Sequence, residues 1–167
     1  MPTSELISVS QYLRTSYRPD CDYVDGVVEE RNAGEWSHAD LQGAWIAYLR
    51  ARRKEWNIQA VPEWQVQVAL TRFRIPDICV ILGQEDQEPI LRTPPFICIE
   101  ILTSEDRMSR MQERVNDYFA FGVPYVWIVD PRSRKGYNRT PSGMTETAVF
   151  RTESPDFIVP LDAVFEF

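Results

Sequence analysis

Two carboxylates stand in stretches that otherwise read as buried strands. One lies in Arg74-Ile75-Pro76-Asp77-Ile78-Cys79-Val80-Ile81, the other in Phe96-Ile97-Cys98-Ile99-Glu100-Ile101-Leu102. Side chains alternate between the two faces of a strand. Asp77 therefore shares a face with Cys79 and Ile81, and Glu100 shares one with Phe96, Cys98 and Leu102. An unpaired charge among such neighbours is costly to bury, so something must compensate it. A divalent cation bridging both acids would do so, and oxygen ligands suit magnesium or manganese. Arginines such as Arg74 and Arg114, or solvent at the strand ends, would also serve. The residues alone leave these alternatives open.

The elements that would hold the pair can be read outward from it. Glu63 to Leu70 alternates, with Trp64, Val66, Val68 and Leu70 on one face; through Thr71-Arg72-Phe73 it is expected to form a hairpin with the Asp77 strand. Residues 84–95 are polar and proline-containing, and read as a loop. After the Glu100 strand, Met108, Met111, Val115, Tyr118 and Phe119 make a helical stripe that Gly122 closes, with Pro124 just beyond. Tyr125-Val126-Trp127-Ile128-Val129-Asp130 is a further buried strand. Strand, helix and strand over this length form a crossover that permits parallel pairing. Upstream, Asp25-Gly26 between Cys21 and Glu29 marks a tight hairpin, and Val9 to Arg14 suits a short helix. Ser37-His38-Ala39-Asp40 resembles a capping box, opening a helix whose apolar positions are Leu41, Ala44, Trp45, Tyr48 and Leu49. The Arg50, Arg52, Arg53 and Lys54 cluster at its end reads first as compensation of the helix dipole. The expected fold class is α/β, a central mixed sheet flanked by helices.

Composition narrows the function classes. The 167 residues, 44% hydrophobic, suit one domain spanning 1–167, with a core over about 17–131 and a β extension over about 132–167. A net charge of -7 argues against a passive DNA-coating role, though not against an enzyme with a local basic surface. No long apolar run and no signal pattern at the start point to a cytoplasmic chain without membrane contact. Cys21, Cys79 and Cys98 lack metal-ligand spacing, and His38 is the only histidine, which excludes a histidine-rich centre.

The ordered set of motifs resembles a known family. Asp22-Tyr23-Val24-Asp25-Gly26, Ser37-His38, Glu63 before an alternating strand, Pro76-Asp77, Glu100-Ile101-Leu102-Thr103-Ser104, Asp117-Tyr118 and Phe121 to Pro131 follow one another over roughly Tyr17 to Val164. In this order they resemble the Uma-type putative restriction endonuclease family, within the PD-(D/E)XK nuclease superfamily. The resemblance implies a restriction-endonuclease-like αβββαβ core and a Mg2+-dependent (or Mn2+-dependent) endonuclease acting on DNA. It implies that Asp77 and Glu100 hold the metal with the Ile101 carbonyl, and that His38 and Glu63 line the site. A homodimer is left open.

The chain departs from the pattern at one functional position. The superfamily lysine two residues after the acid is replaced by Leu102, and the family's lysine on the following helix by Arg114. Among 18 basic residues only Lys54 and Lys135 are lysines. Arginine stabilises negative charge on a phosphate but does not shed a proton near neutrality. Either Arg114 takes the electrostatic role in catalysis, or the chain is a weakened or inactive nuclease fold acting as a binding or assembly module.

Overall fold

The computed structural model describes residues 5–31, 34–83, 87–106 and 108–167. In chain order it runs α1 (Val9–Arg14), β1 (Cys21–Val24), β2 (Val27–Glu30), α2 (Trp36–Ala51), α3 (Arg53–Trp56) and β3 (Ile58–Pro62). Then come β4 (Val66–Ala69), β5 (Arg72–Arg74), β6 (Ile78–Leu82), β7 (Ile97–Ile101), α4 (Met108–Phe121) and β8 (Tyr125–Asp130). The chain finishes with β9 (Lys135–Thr140), β10 (Gly143–Thr147), β11 (Val149–Thr152), β12 (Phe157–Pro160) and α5 (Leu161–Phe165).

A six-stranded mixed sheet, ordered β10-β9-β8-β7-β6-β3, carries the core on both faces. On one face Trp45 and Leu49 of α2 pack with Ile78, Ile99, Trp127, Phe150 and Val159. On the other, Met111, Val115 and Tyr118 of α4 pack with Cys79, Cys98, Val126 and Ile128. The α4 crossover makes β7 and β8 parallel, as the strand-helix-strand pattern predicts. Gly122, at φ +107, ends α4 by donating its N–H to the Tyr118 carbonyl. Asp25 (φ 48) and Gly26 (φ 95) form the turn between β1 and β2.

Three local expectations are corrected. The expected strand over residues 74–81 is divided, and Arg72-Phe73 is strand rather than connection: β5 pairs with β4 and β1 in a separate four-stranded sheet, whereas β6 pairs with β3 and β7. The division falls at Ile75-Pro76, where proline offers no N–H to a ladder. The antiparallel neighbour of the Asp77 segment is accordingly Ile58–Pro62, not Glu63–Leu70. Second, α2 begins at Trp36 with Glu35 as its cap residue, so Ser37 lies inside the helix and forms no capping box; the Glu35 carboxylate accepts from the Ser104 hydroxyl instead of capping the helix. Third, Phe96 precedes β7 and packs on the opposite face from Glu100, edge-on to Tyr125 and Phe157. Of the expected loop, residues 84–86 lie outside the described set; Leu91 in the remainder bridges to Val66. Among the described residues no helix is long and apolar enough to cross a membrane.

The small sheet is fastened to α4 through Arg74, whose side chain is fully buried. Its Nε donates to Asp117 (2.7 Å) and its Nη1 to Glu29 (3.0 Å) and Asp22 (3.3 Å). Arg74→Ala is expected to cost about 3 kcal/mol, because breaking a buried pair strands its partners. Urea denaturation monitored by tryptophan fluorescence checks this, and a loss below about 1 kcal/mol, the ceiling for an exposed pair, would contradict it.

Candidate active site

The β6–β7 register ends with Ile78 opposite Ile99, and Asp77 and Glu100 are the next residues along the two segments. Pro76 ends the strand there, and the Asp77 side chain satisfies the next donor: the Ile101 N–H donates to Asp77 Oδ2 at 2.7 Å. The α2 helix grips the same segment with two residues one turn apart. His38 Nε2 lies 3.2 Å from Asp77 Oδ1, and Gln42 Nε2 donates to the Asp77 carbonyl at 2.9 Å. Arg31, just past β2, donates to Asp77 Oδ1 at 2.7 Å. Burial alone would raise the Asp77 pKa, but the His38 hydrogen bond and the Arg31 charge outweigh it and bring it to about 2. For His38 burial favours the neutral ring, yet the Asp77 hydrogen bond and charge carry its pKa above the ordinary value.

Glu100 is more deeply enclosed and has no exposed surface. Tyr118 donates its hydroxyl proton to Glu100 Oε1 at 2.5 Å, and Arg114 Nη2 stands 3.3 Å from the same oxygen. Oε2 is buried without a hydrogen-bond partner among the described residues. Burial pushes the Glu100 pKa to about 8, with Asp77's charge adding to the rise against the opposing effect of Arg114 and Tyr118. The surroundings thus push the two acids in opposite directions: Asp77 toward the carboxylate, Glu100 toward the carboxylic acid.

Arg114 points inward from α4, with only 15% of its side chain exposed. Besides Glu100, it donates to the Ile75 carbonyl (2.9 Å) and stands 3.4 Å from Asp22 Oδ2. One guanidinium therefore touches the junction between the two sheets and one of the acids. Asp77, Ile101, His38 and Arg114 all line a cavity of about 440 Å³. Glu63 lines it as well, from a left-handed turn position (φ 53), with its side chain 46% exposed and 3.7 Å from Arg31.

The Uma2 family model, described as putative restriction endonuclease, matches residues 9–161. The chain belongs to that family. Its fold is similar to a crystal structure described as a putative nuclease belonging to DUF820 from Anabaena variabilis ATCC 29413. The TM-score is 0.80 at 16% sequence identity, over 96% of this chain and 98% of that one. No curated protein matches the chain.

Within this Uma2 chain the six residues singled out from sequence lie around one cavity, with Glu100 just behind its wall. Glu63 makes the least intimate contact: its backbone N–H donates to the Asp77 carbonyl at 3.3 Å. Sequence reasoning overlooked Arg31, Gln42 and the hydroxyl of Tyr118. Gln42 carried a signal, standing four residues after His38 on the same helix face. Arg31 carried none, since a residue at a hairpin's end declares nothing about a strand 46 positions later. Arg74, one of the alternatives for compensating the acid pair, serves Asp22, Glu29 and Asp117. Among the described residues no three His, Cys, Asp or Glu side chains are grouped as metal ligands.

The raised Glu100 pKa makes stability pH-dependent. Its favourable contribution is complete below its ordinary value of 4.5 and is lost as pH rises through about 8. In metal-free buffer, Glu100→Gln should therefore gain stability relative to wild type as pH climbs from about 5 to about 9. Denaturant midpoints across that range check the sign; a constant difference would contradict it.

Proposed function

We propose that the chain is a Mg2+- or Mn2+-dependent endonuclease that hydrolyses DNA phosphodiester bonds in the cytoplasm. The observation that carries this reading is the partnerless Glu100 Oε2, buried just behind the wall of the cavity that Asp77 and Ile101 line. A buried carboxylate oxygen with no donor fits a cation, as does the oxygen-only set of Asp77, Glu100 and the Ile101 carbonyl. Two carboxylates suffice for magnesium, which keeps waters and substrate phosphate as its remaining ligands. A bound cation would lower the pKa of a ligated water and offset phosphate charge.

The chain's own residues take the other roles. His38 and Arg31 keep Asp77 ionised and oriented, so the acid is a ready oxygen donor. Tyr118 fixes one oxygen of Glu100 and leaves the other free. Arg114 supplies permanent positive charge at the cavity, stabilising the extra charge that develops on phosphate as its ester bond breaks. It does not act as a base, so Arg114 does not replace a proton-accepting lysine.

A second reading has a specific observation behind it. Arg31 and Arg114 already neutralise the two acids, and an acid pair satisfied by guanidinium groups needs no metal. That would make the chain a nuclease-fold binding module. Metal linkage separates the two. On the enzyme reading, Mg2+ or Mn2+ raises the melting temperature, and does so more above pH 8 than at pH 6, because Glu100 must lose its proton to ligate. Asp77→Asn and Glu100→Gln should abolish the rise. An equal response in all three proteins would sink the metal site.

Cleavage assays address Arg114. Arg114→Lys should retain or increase cleavage. Arg114→Ala should reduce it on the order of a hundredfold, the usual weight of one preorganised charge-stabilising donor. Unchanged cleavage by Arg114→Ala would remove this residue from the mechanism.

A further inference from the structure

Among the described residues, three arginines beside the site have no anionic partner. Arg110 lies one helical turn before Arg114 on α4 and lines the same cavity. Arg18 lines that cavity from the segment ahead of β1. Arg14, the last residue of α1, lines a second cavity of about 450 Å³, which shares Tyr17, Asp20 and Glu63 with the first. All three side chains are exposed, and among the described residues none of them forms an ion pair. In a chain with 25 acidic and 18 basic residues, carboxylates are in excess. Arginines left unpaired together along one trough are therefore free to meet a different anion.

Two aromatic rings line the same pair of cavities. Tyr17, half-buried, lines both and stacks on Tyr12 at 5.8 Å. Trp64 lines the second cavity, with its ring held by an Nε1 hydrogen bond to the Glu88 carbonyl at 3.0 Å. Basic side chains alternating with aromatic faces are what a single nucleic-acid strand recognises: phosphates pair with guanidinium groups and bases stack on rings. Asp20, Glu29, Glu30 and Glu63 line the same walls and oppose a second charged backbone. A flexible strand can thread its phosphates past them toward the arginines; a stiff duplex cannot.

We infer that the two cavities form one track for single-stranded DNA, with Arg110, Arg18 and Arg14 as phosphate contacts and Tyr17 and Trp64 as base platforms. The inference rests on the nuclease reading and names its substrate form.

The test is fluorescence anisotropy in EDTA, so that binding is read apart from cleavage. The probes are a labelled oligothymidylate and a DNA duplex of equal length. The single strand should bind tighter on the order of tenfold, the weight of one stacked base. Arg14→Ala, Arg18→Ala and Arg110→Ala should each weaken it and flatten the plot of log affinity against log salt by about 0.7. Arg151→Ala, on the exposed side of β11, should change neither quantity. Equal or tighter duplex binding, unchanged binding by all three arginine variants, or no binding of either probe would overturn the track. Manganese-supported cleavage of both DNA forms is run beside it. Duplex cleavage that needs Asp77 but none of the three arginines retains the nuclease and removes the track. Arginine-dependent strand binding without cleavage in any metal does the reverse.

Discussion

The arrangement depends on two carboxylates that the chain buries side by side. Asp77 and Glu100 sit at the point where β6 stops and β7 continues, 3% and 0% exposed. Two like charges there, away from water, would cost more than most single interactions in the fold return. Every neighbouring element contributes to offsetting that cost. The α2 helix gives His38 and Gln42, α4 gives Arg114 and Tyr118, and the segment after β2 gives Arg31. The compensation is unequal, and the inequality separates the acids chemically. The His38 hydrogen bond and the Arg31 charge draw Asp77 toward the ionised form, whereas burial pushes the Glu100 pKa up to about 8.

Pro76 ties this electrostatic arrangement to the topology. By ending β6 it lets the chain leave the six-stranded sheet and join β4 and β1 in the smaller one. The crossing is held by charges: the Ile75 N–H donates to Asp22, and the Ile75 carbonyl accepts from Arg114. Arg114 can bind a carbonyl and approach two carboxylates at once because its donors fan out in a rigid plane. A lysine there would be a point charge on a flexible stem. Arginine thus adds structural grip at the position, while forgoing proton transfer.

Much of this was legible in the sequence where short-range rules apply. The Asp25-Gly26 turn, the apolar stripe of α4 with Gly122 at its end, and the parallel β7–α4–β8 crossover follow from turn chemistry and periodicity. The mixed α/β fold and the motif order agree with the family match and with the similar solved structure. The misreadings share a physical origin. The stretch Arg74 to Ile81 reads as one buried strand, but at Pro76 within it the chain passes from one sheet to the other. Glu35 rather than Ser37 precedes α2, and its carboxylate meets Ser104, far away in sequence, instead of capping the helix. The partners of Asp77 and Arg74 were hidden because ion pairs across 43 to 52 residues leave no local pattern. Sequence pointed to the acids; only the fold could say which arginine meets which.

The central claim is that Asp77 and Glu100 are a cation site and not merely a neutralised acid pair. Anomalous diffraction from crystals soaked in Mn2+ above pH 8, where Glu100 is ionised, tests it most directly. The account predicts a manganese peak within ligand distance of both carboxylates and the Ile101 carbonyl, with the Arg31 guanidinium shifted off Asp77. Manganese absent from this position, with Arg31 still on Asp77 and Arg114 still on Glu100, would contradict it.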